Sequence, residues 1–203
     1  MLAELTSFIL ETVGEWGYTG IIIMMALESS FVPFPSEVVM IPAGYLVDKG
    51  EMNLLLVLLS GYAGSMIGAF TNYFLAISLG RTFLYKYGKY FFMKEKTLDK
   101  METFFQKHGA VSTFTGRLIP GIRQLISIPA GLSKMPLGMF TFYTFLGAAI
   151  WSTILVALGY FLGEEEALIK QYLHQLIFVS LGLVVLIVGV YTYFYKKRVE
   201  KSQ

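Results

Sequence analysis

Three apolar stretches of this chain are each long enough to cross a lipid bilayer. They are Leu54 to Leu79, Phe140 to Leu162 and Leu173 to Tyr195, and a transmembrane helix needs about 20 apolar residues. Hydrophobic residues make up 55% of the chain and charged residues 15%, whereas a soluble domain carries about 25% charged residues. We therefore predict an all-α membrane protein with about three full transmembrane helices.

The distribution of charged residues predicts the orientation of the chain. Basic residues are concentrated in the connection 81–108 and after Tyr195, whereas the acidic sequence GEEEA occupies 163–167. Basic connections remain on the cytoplasmic side of a membrane, so we expect a cytoplasmic C-terminus. Residues 1–16 place apolar side chains on one helical face, which predicts an N-terminal amphipathic helix at the membrane interface. The side on which this helix lies stays open.

Two proline-interrupted segments end in the same four residues, IPAG. They are FVPFPSEVVMIPAG at 31–44 and RLIPGIRQLISIPAG at 117–131. Proline removes a backbone donor and clashes with the preceding turn, so neither segment is expected to cross the membrane as one helix. We predict two re-entrant helical hairpins, at about 17–47 and 109–132. Six residues are expected to shape them: Pro33, Pro35, Pro42, Pro120, Gly121 and Pro129.

Each predicted hairpin contains a half-helix. In the first hairpin, Ser36 is the predicted N-cap of a half-helix that begins at Glu37, and Pro42 is expected to prevent a long helix from continuing. The same reasoning applies to the second hairpin, from Pro120 to Pro129. Broken helices are tolerated at membrane depth only where they are buried in protein or line a watery cavity.

An internal repeat organises these elements. In each half, IPAG is followed by two glycines that are 16 residues apart, Gly64 and Gly80 in the first half and Gly147 and Gly163 in the second. The basic connection separates the halves after a single crossing, so we expect the hairpins to enter from opposite faces, as in the inverted repeats of many secondary transporters. The predicted single membrane domain, 1–203, comprises a first repeat (1–80), a basic cytoplasmic connection with an amphipathic helix (81–108), a second repeat (109–163) and a C-terminal transmembrane helix (171–195).

Four ionisable residues lie in or beside the predicted hairpins: Glu28, Glu37, Arg117 and Arg123. At a membrane helix centre each would cost about 2.5–3.5 kcal/mol. They could form ion pairs that hold the two halves together, although buried pairs are often no more stabilising than apolar residues. The functional interpretation is a transport site in a hydrated cavity. The arginines would bind an anion such as phosphate, while the glutamates would exchange protons.

Other polar residues in the apolar stretches give weaker indications. Asn72 and Tyr73 could line the cavity, although hydrogen bonds between helices explain them better. Lys134 could attract anionic head groups or only obey the positive-inside rule. The spacing of Gly64 and Gly68 is typical of close helix packing.

The sequence gives no indication of enzymatic chemistry. It contains no cysteine, which excludes disulfides and thiolate metal sites. Neither His108 nor His174 has a partner at metal-ligand spacing, and no phosphate-binding loop, zinc helix or nucleophile elbow is present. We expect no catalytic residues, no cofactor, no metal and no nucleic-acid partner. Oligomerisation is left open.

Two motifs resemble those of the DedA family, also called the SNARE-associated or VTT-domain family. They are Glu28 followed by FVPFPSE, and GRLIPGIR at 116–123, and the resemblance extends over about residues 10–190. It implies a location in the bacterial cytoplasmic membrane and the return of undecaprenyl phosphate or phosphatidylethanolamine across it, in a manner tied to the proton motive force. Glu28, Glu37, Arg117 and Arg123 match the family's functional acids and arginines.

This chain departs from the family pattern at two positions. Some members have aspartate in place of Glu37, and many have an acidic residue near Ala69, so the number of coupling ions is left open. A single phosphate monoester suits two arginines, so we expect a flippase-type transporter of undecaprenyl phosphate. The alternatives are a phosphatidylethanolamine flippase or scramblase, a small-cation or drug/proton antiporter, and a membrane organiser without a transport cycle.

Overall fold

The computed structural model describes residues 16–30, 35–87, 95–119 and 122–162, with single residues and short runs between 175 and 193. All regular secondary structure in these ranges is helical, which confirms the predicted all-α class. The helices are α1 (Trp16–Glu28), α2 (Glu37–Asp48), α3 (Leu54–Tyr87), α4 (Glu95–Leu118), α5 (Ser127–Leu132) and α6 (Leu137–Leu162).

Several predicted features lie outside the described residues. They are the N-terminal amphipathic helix before Trp16, the acidic GEEEA sequence, most of the Leu173 to Tyr195 stretch, and the hairpin residues Pro33, Pro120 and Gly121.

Two helices have the length and composition of membrane spans. The apolar windows are Leu54–Ser78 of α3, with 25 residues, and Leu137–Leu162 of α6, with 26 residues. Both helices expose large apolar side chains, with Leu55 of α3 63% and Phe161 of α6 76% exposed. Such surfaces are unfavourable in water and suit a lipid environment. The first two predicted spans are therefore confirmed as long apolar helices.

The first proline-rich segment leads into α2 where the sequence predicts it. The helix begins at Glu37, with Ser36 at the N-cap position, but the Ser36 side chain makes no capping hydrogen bond. Pro42 lies inside α2, which continues for six further residues and ends at Asp48, so the helix stays short at 12 residues although it passes the proline. The helix forms despite the missing donor because its Val39 to Gly44 segment is packed in the core.

The second segment differs from the prediction at its start. One helix, α4, extends from Glu95 to Leu118, so the expected amphipathic helix and the first arm of the predicted hairpin are continuous. Gly109 does not break α4, because an isolated glycine costs a helix only about 1 kcal/mol. The short α5 follows, with Pro129 in its first turn, where the missing backbone donor is not needed.

Two apolar clusters form the core. The first joins α1, α2, α3 and α6 through eleven buried residues: Ile21, Met24, Met25, Val39, Met40, Ile41, Ala43, Val57, Trp151, Leu155 and Val156. The second joins α5 to the middle of α3, the middle of α4 and the start of α6 through seven: Ala69, Tyr73, Phe105, Ile126, Ala130, Met135 and Phe140.

Each IPAG glycine lies against the long helix of the other half of the chain. A Cβ at Gly44 would be 2.2 Å from the carbonyl oxygen of Val156, and one at Gly131 would be 2.4 Å from that of Tyr73. Tyr73 and Val156 are 83 positions apart, the same separation as the first residues of α3 and α6. The two IPAG sequences therefore make equivalent contacts, α2 with α6 and α5 with α3.

The glycines predicted to pack helices closely do so. A Cβ at Gly64 would be 2.5 Å from the carbonyl oxygen of Ile22, and one at Gly68 would be 2.4 Å from that of Ala26. Helix α1 therefore lies directly on α3, at the short distance that small residues permit.

The contact between α2 and α6 generates a stability prediction. Gly159→Ala would place a methyl group 1.9 Å from the carbonyl oxygen of Ile41, so the helices must separate. We expect a loss of about 3 kcal/mol, the upper part of the usual range for overpacking, measured by thermal unfolding in detergent. Gly138→Ala is the matched control in the same helix, because nothing lies within 4 Å of the added atom. Equal midpoints for the two variants would contradict this packing.

Candidate functional site

Three of the four predicted ionisable residues meet at a small buried cavity between α1, α3, α4 and α6. Its volume is about 20 Å³, enough for about one water molecule and too small for a lipid head group. Glu28, Arg117 and Arg123 contribute to its wall, and each is more than nine-tenths buried. The other lining residues are Met25, Ser29, Ser65, Ala148, Trp151 and Ser152.

Glu28, the last residue of α1, is held on both carboxylate oxygens. Its Oε1 lies 2.7 Å from Nη2 of Arg123 and accepts a hydrogen bond from Nε2 of Gln124 at 3.3 Å. Its Oε2 accepts a hydrogen bond from the hydroxyl of Ser29 at 2.9 Å. With only 3% of its surface exposed, the carboxylate depends on these partners, because an unpaired buried charge is strongly destabilising.

Arg123 lies in the connection before α5 and contacts both sides of the segment between α1 and α2. Besides Glu28, its Nη2 donates to the hydroxyl of Ser36 at 2.7 Å and lies 3.9 Å from Oε2 of Glu37. Its guanidinium carbon lies 5.2 Å from the centre of the Trp151 ring, within the range of a cation–π interaction. One arginine thus connects the end of α1, the start of α2 and the middle of α6.

Arg117 has a different environment. It lies in the last turn of α4, and its Nη2 donates to the hydroxyl of Ser127, the first residue of α5, at 2.9 Å. Its stem lies against Gly147 of α6, where a Cβ would be 2.6 Å from that of Arg117. Among the described ion pairs, those of Glu28 and Glu37 are both with Arg123.

Four buried polar atoms around these residues have no hydrogen-bond partner within the described part of the chain. They are Nε of Arg117, Nε of Arg123, Nε1 of Trp151 and Oε2 of Glu37. Buried polar groups in native structures are almost always paired with protein, water or ligand. The site therefore retains donors and an acceptor for a further group.

Asn72 of α3 connects the two interrupted segments. Its Nδ2 donates to the carbonyl oxygens of Ser29, Ser30 and Gln124, at 3.2, 2.9 and 3.1 Å. One amide therefore fixes the turn after α1 against the connection before α5. Its role is to hold backbone in place, and it does not line the cavity.

Tyr73 and Lys134 also lie away from the cavity. The hydroxyl of Tyr73 donates to the backbone oxygen of Met135, and the ring stacks on Phe140 with centroids 4.4 Å apart. Lys134 is exposed, in the turn after α5, with a positive φ of 50°. Neither residue is among the described residues that line the cavity.

Sequence reasoning missed most of the polar partners. Ser36 was expected only as a cap, and Gln124 and Ser127 were not singled out although both lie in the quoted arginine-rich segment. Trp151 gave the one available signal, because it is the only tryptophan in the long apolar stretches.

The profile of the VTT domain matches residues 34–161. The chain belongs to the VTT-domain family, also called DedA. The match includes α2 through α6 and three of the four ionisable residues. Family membership, with the long apolar helices, makes this a membrane protein, and the resemblance stated from the motifs is confirmed.

Similar proteins come from several bacteria. An uncharacterized membrane protein of Bacillus subtilis, YkoX, is 38% identical over 99% of this chain and 89% of its own length. The undecaprenyl phosphate transporter A of the same organism is 38% identical over 81% of both chains. An alkaline phosphatase-like protein of Lactococcus lactis is 32% identical over 96% of this chain and 94% of its own. No solved structure matches the chain.

The Asn72 contacts predict a loss of stability when the amide is removed. Asn72→Leu keeps a similar volume but leaves three carbonyl oxygens without this donor, so we expect a loss of about 1–3 kcal/mol, measured as a lower unfolding midpoint. Thr71→Val is the matched control, because Thr71 is exposed and its hydroxyl donates to the backbone oxygen of Ile67 in its own helix. An unchanged midpoint for Asn72→Leu would show that the contact does not stabilise the fold.

Proposed function

We propose that this protein transports a lipid bearing a phosphate monoester, most specifically undecaprenyl phosphate, across the bacterial cytoplasmic membrane. The observation that carries the proposal is the pair of buried guanidinium groups, Arg117 and Arg123, at one cavity. Each retains an Nε donor without a partner in the described chain. Arginine stays charged and forms paired hydrogen bonds with phosphate. The similarity to undecaprenyl phosphate transporter A supports the same substrate class.

We also propose the inverted-repeat architecture as the frame for transport. The equivalent IPAG contacts support it, and so does a second pair. A Cβ at Gly64 would lie 2.7 Å from that of Met25, and one at Gly147 would lie 2.6 Å from that of Arg117. These two glycines are again 83 positions apart. In this arrangement α1 and α2 form one re-entrant hairpin, and the end of α4 with α5 forms the other.

The proposed orientation follows from the sequence. The repeats comprise 1–80 and 109–163, the hairpins enter from opposite faces, and a third transmembrane helix at 171–195 leads to a cytoplasmic C-terminus. Helix α2 has 12 residues, well below the roughly 20 residues of a full span, as one arm of a re-entrant hairpin requires.

The geometry suggests how the substrate enters. Oε1 of Glu28 lies 2.7 Å from Nη2 of Arg123. This carboxylate oxygen therefore takes the position beside the guanidinium that a phosphate oxygen would need. The cavity has room for about one water molecule, and phosphate binding therefore requires Glu28 to leave and the hairpins to separate. A buried carboxylate that loses its cation is costly, so proton uptake by Glu28 or Glu37 would accompany binding.

The preference for a monoester over phosphatidylethanolamine rests on charge. Two arginines match a group that carries nearly two negative charges, whereas a zwitterionic head group also needs an acceptor for its ammonium. Oε2 of Glu37, which lacks a hydrogen bond among the described residues, is the one observation that favours phosphatidylethanolamine. The same atom would serve a cation in a proton antiporter, so both remain outcomes of the transport experiment.

Transport can be measured in liposomes that contain a polyprenyl phosphate, with a phosphatase added outside to release phosphate from the outer leaflet only. We expect the protein to make the inner-leaflet lipid accessible and Arg123→Gln to slow this at least about tenfold, because hydrogen bonds to charged groups contribute about 1.5–3 kcal/mol. Lys49→Gln, which removes an exposed positive charge, is the matched control.

Three results would contradict the proposal. Equal rates for Arg123→Gln and the unaltered protein would exclude the arginine as the phosphate receptor. Phosphate release without added phosphatase would indicate an enzyme, in keeping with the alkaline phosphatase-like relative. Accessibility of phosphatidylethanolamine alone, or proton flux on addition of a cation, would support the alternatives.

Proton coupling gives a separate prediction. Glu37→Gln resembles the protonated residue permanently, so we expect its transport to be slower and independent of a pH gradient, whereas the unaltered protein should respond to the gradient. Asp48→Asn, at the exposed end of α2, serves as the control and should keep the response. A Glu37→Gln variant with unchanged rate and pH dependence would exclude this residue from coupling.

A further inference from the structure

Trp151 is a buried donor that the charges of the site do not explain. It lies in α6, is 4% exposed and lines the cavity. Its Nε1 has no hydrogen-bond partner among the described residues. Buried tryptophans usually pair this N–H, because an unpaired buried donor lowers stability. A phenylalanine or leucine would fill an apolar core without that penalty.

The contact with Arg123 explains why an aromatic ring lies at position 151, but it does not explain why that ring carries an N–H. The guanidinium lies 5.2 Å from the ring centre, and a cation–π contact uses the face of a ring. The N–H lies in the ring plane at its edge and therefore remains available. Phenylalanine would also offer a ring face to the arginine.

Three unpaired donors belong to three different segments around the same cavity. They are Nε of Arg117 at the end of α4, Nε of Arg123 before α5, and Nε1 of Trp151 in α6. A phosphate monoester has three unesterified oxygens, whereas a diester has two. The third donor is neutral, so it adds little general attraction for anions and acts through hydrogen bonding, which is the property that separates similar substrates.

We propose that Trp151 determines the specificity of the site by donating its indole N–H to the third unesterified oxygen of a phosphate monoester. The inference rests on the proposed function, in which the arginines bind the phosphate. The two arginines bind the two unesterified oxygens that monoesters and diesters share. Trp151 binds the third unesterified oxygen, which only a monoester has.

The test compares a short-chain prenyl monophosphate with its methyl diester, by equilibrium binding to the full-length protein in detergent. Trp151→Phe retains a ring for Arg123 and removes the donor. We expect it to bind the monophosphate about tenfold more weakly, the effect of one lost hydrogen bond to a charged group, and to bind the diester unchanged. Trp16→Phe is the matched control, because Trp16 is 57% exposed and is not among the described lining residues.

The outcomes separate this inference from the proposed function. If Arg123→Gln loses both ligands while Trp151→Phe keeps the original preference for the monophosphate, the inference is wrong and the proposed function stands. If Trp151→Phe loses both ligands equally and unfolds at lower temperature, the residue acts only by packing and the inference is also wrong. If neither ligand binds the unaltered protein, both proposals fail.

Discussion

Burial of Arg123 is the constraint on which the rest of the site depends. A guanidinium cannot lose its charge in a protein, so every group around it must compensate for its removal from water. Glu28 supplies the opposite charge, Ser36 an acceptor, Glu37 a second carboxylate and Trp151 a ring face. These partners come from α1, α2 and α6. The arginine therefore fixes the relative positions of segments that are distant in the sequence.

The close glycine contacts limit how this arrangement can open. Gly44 and Gly159 bring the backbones of α2 and α6 into direct contact, and Gly131 does the same for α5 and α3. Surfaces matched this closely do not slide past one another easily. Opening the cavity should therefore move α2 with α6 and α5 with α3, as two units. The contacts of Arg123 with Ser36 and Glu37 lie across this division, whereas Glu28 ends α1, which packs on α3.

Local properties of the chain made the outline of the fold predictable. The two long helices follow from apolar length, the start of α2 from Pro35 and Ser36, and the contacts of Gly64 and Gly68 from their spacing. The ionisable residues stood out because charge is costly in an apolar segment. Each of these inferences depends on residues that are close together in the sequence.

The partners within the site were not predictable in the same way. Ser36 looks like a cap in the sequence, yet its hydroxyl accepts from Arg123, which lies 87 positions away. The continuity of α4 and the passage of α2 through Pro42 depend on packing that propensity does not describe. Ser127 and Trp151 are ordinary residues of apolar helices until the fold places them beside a guanidinium group.

Charge balance connects the two acids with the two bases. With the glutamates ionised, Glu28, Glu37, Arg117 and Arg123 carry no net charge, which suits a buried cluster in a medium of low dielectric constant. A phosphate monoester would add about 1.5–2 negative charges. The arginines are already protonated, so they cannot supply additional positive charge to balance it. Under the proposed function, neutrality would return if carboxylates took up protons, and the site holds about as many carboxylates as the proposed substrate has charges. A diester, with about one charge, would require one proton, so the ratio of protons to lipid should differ between the two substrates.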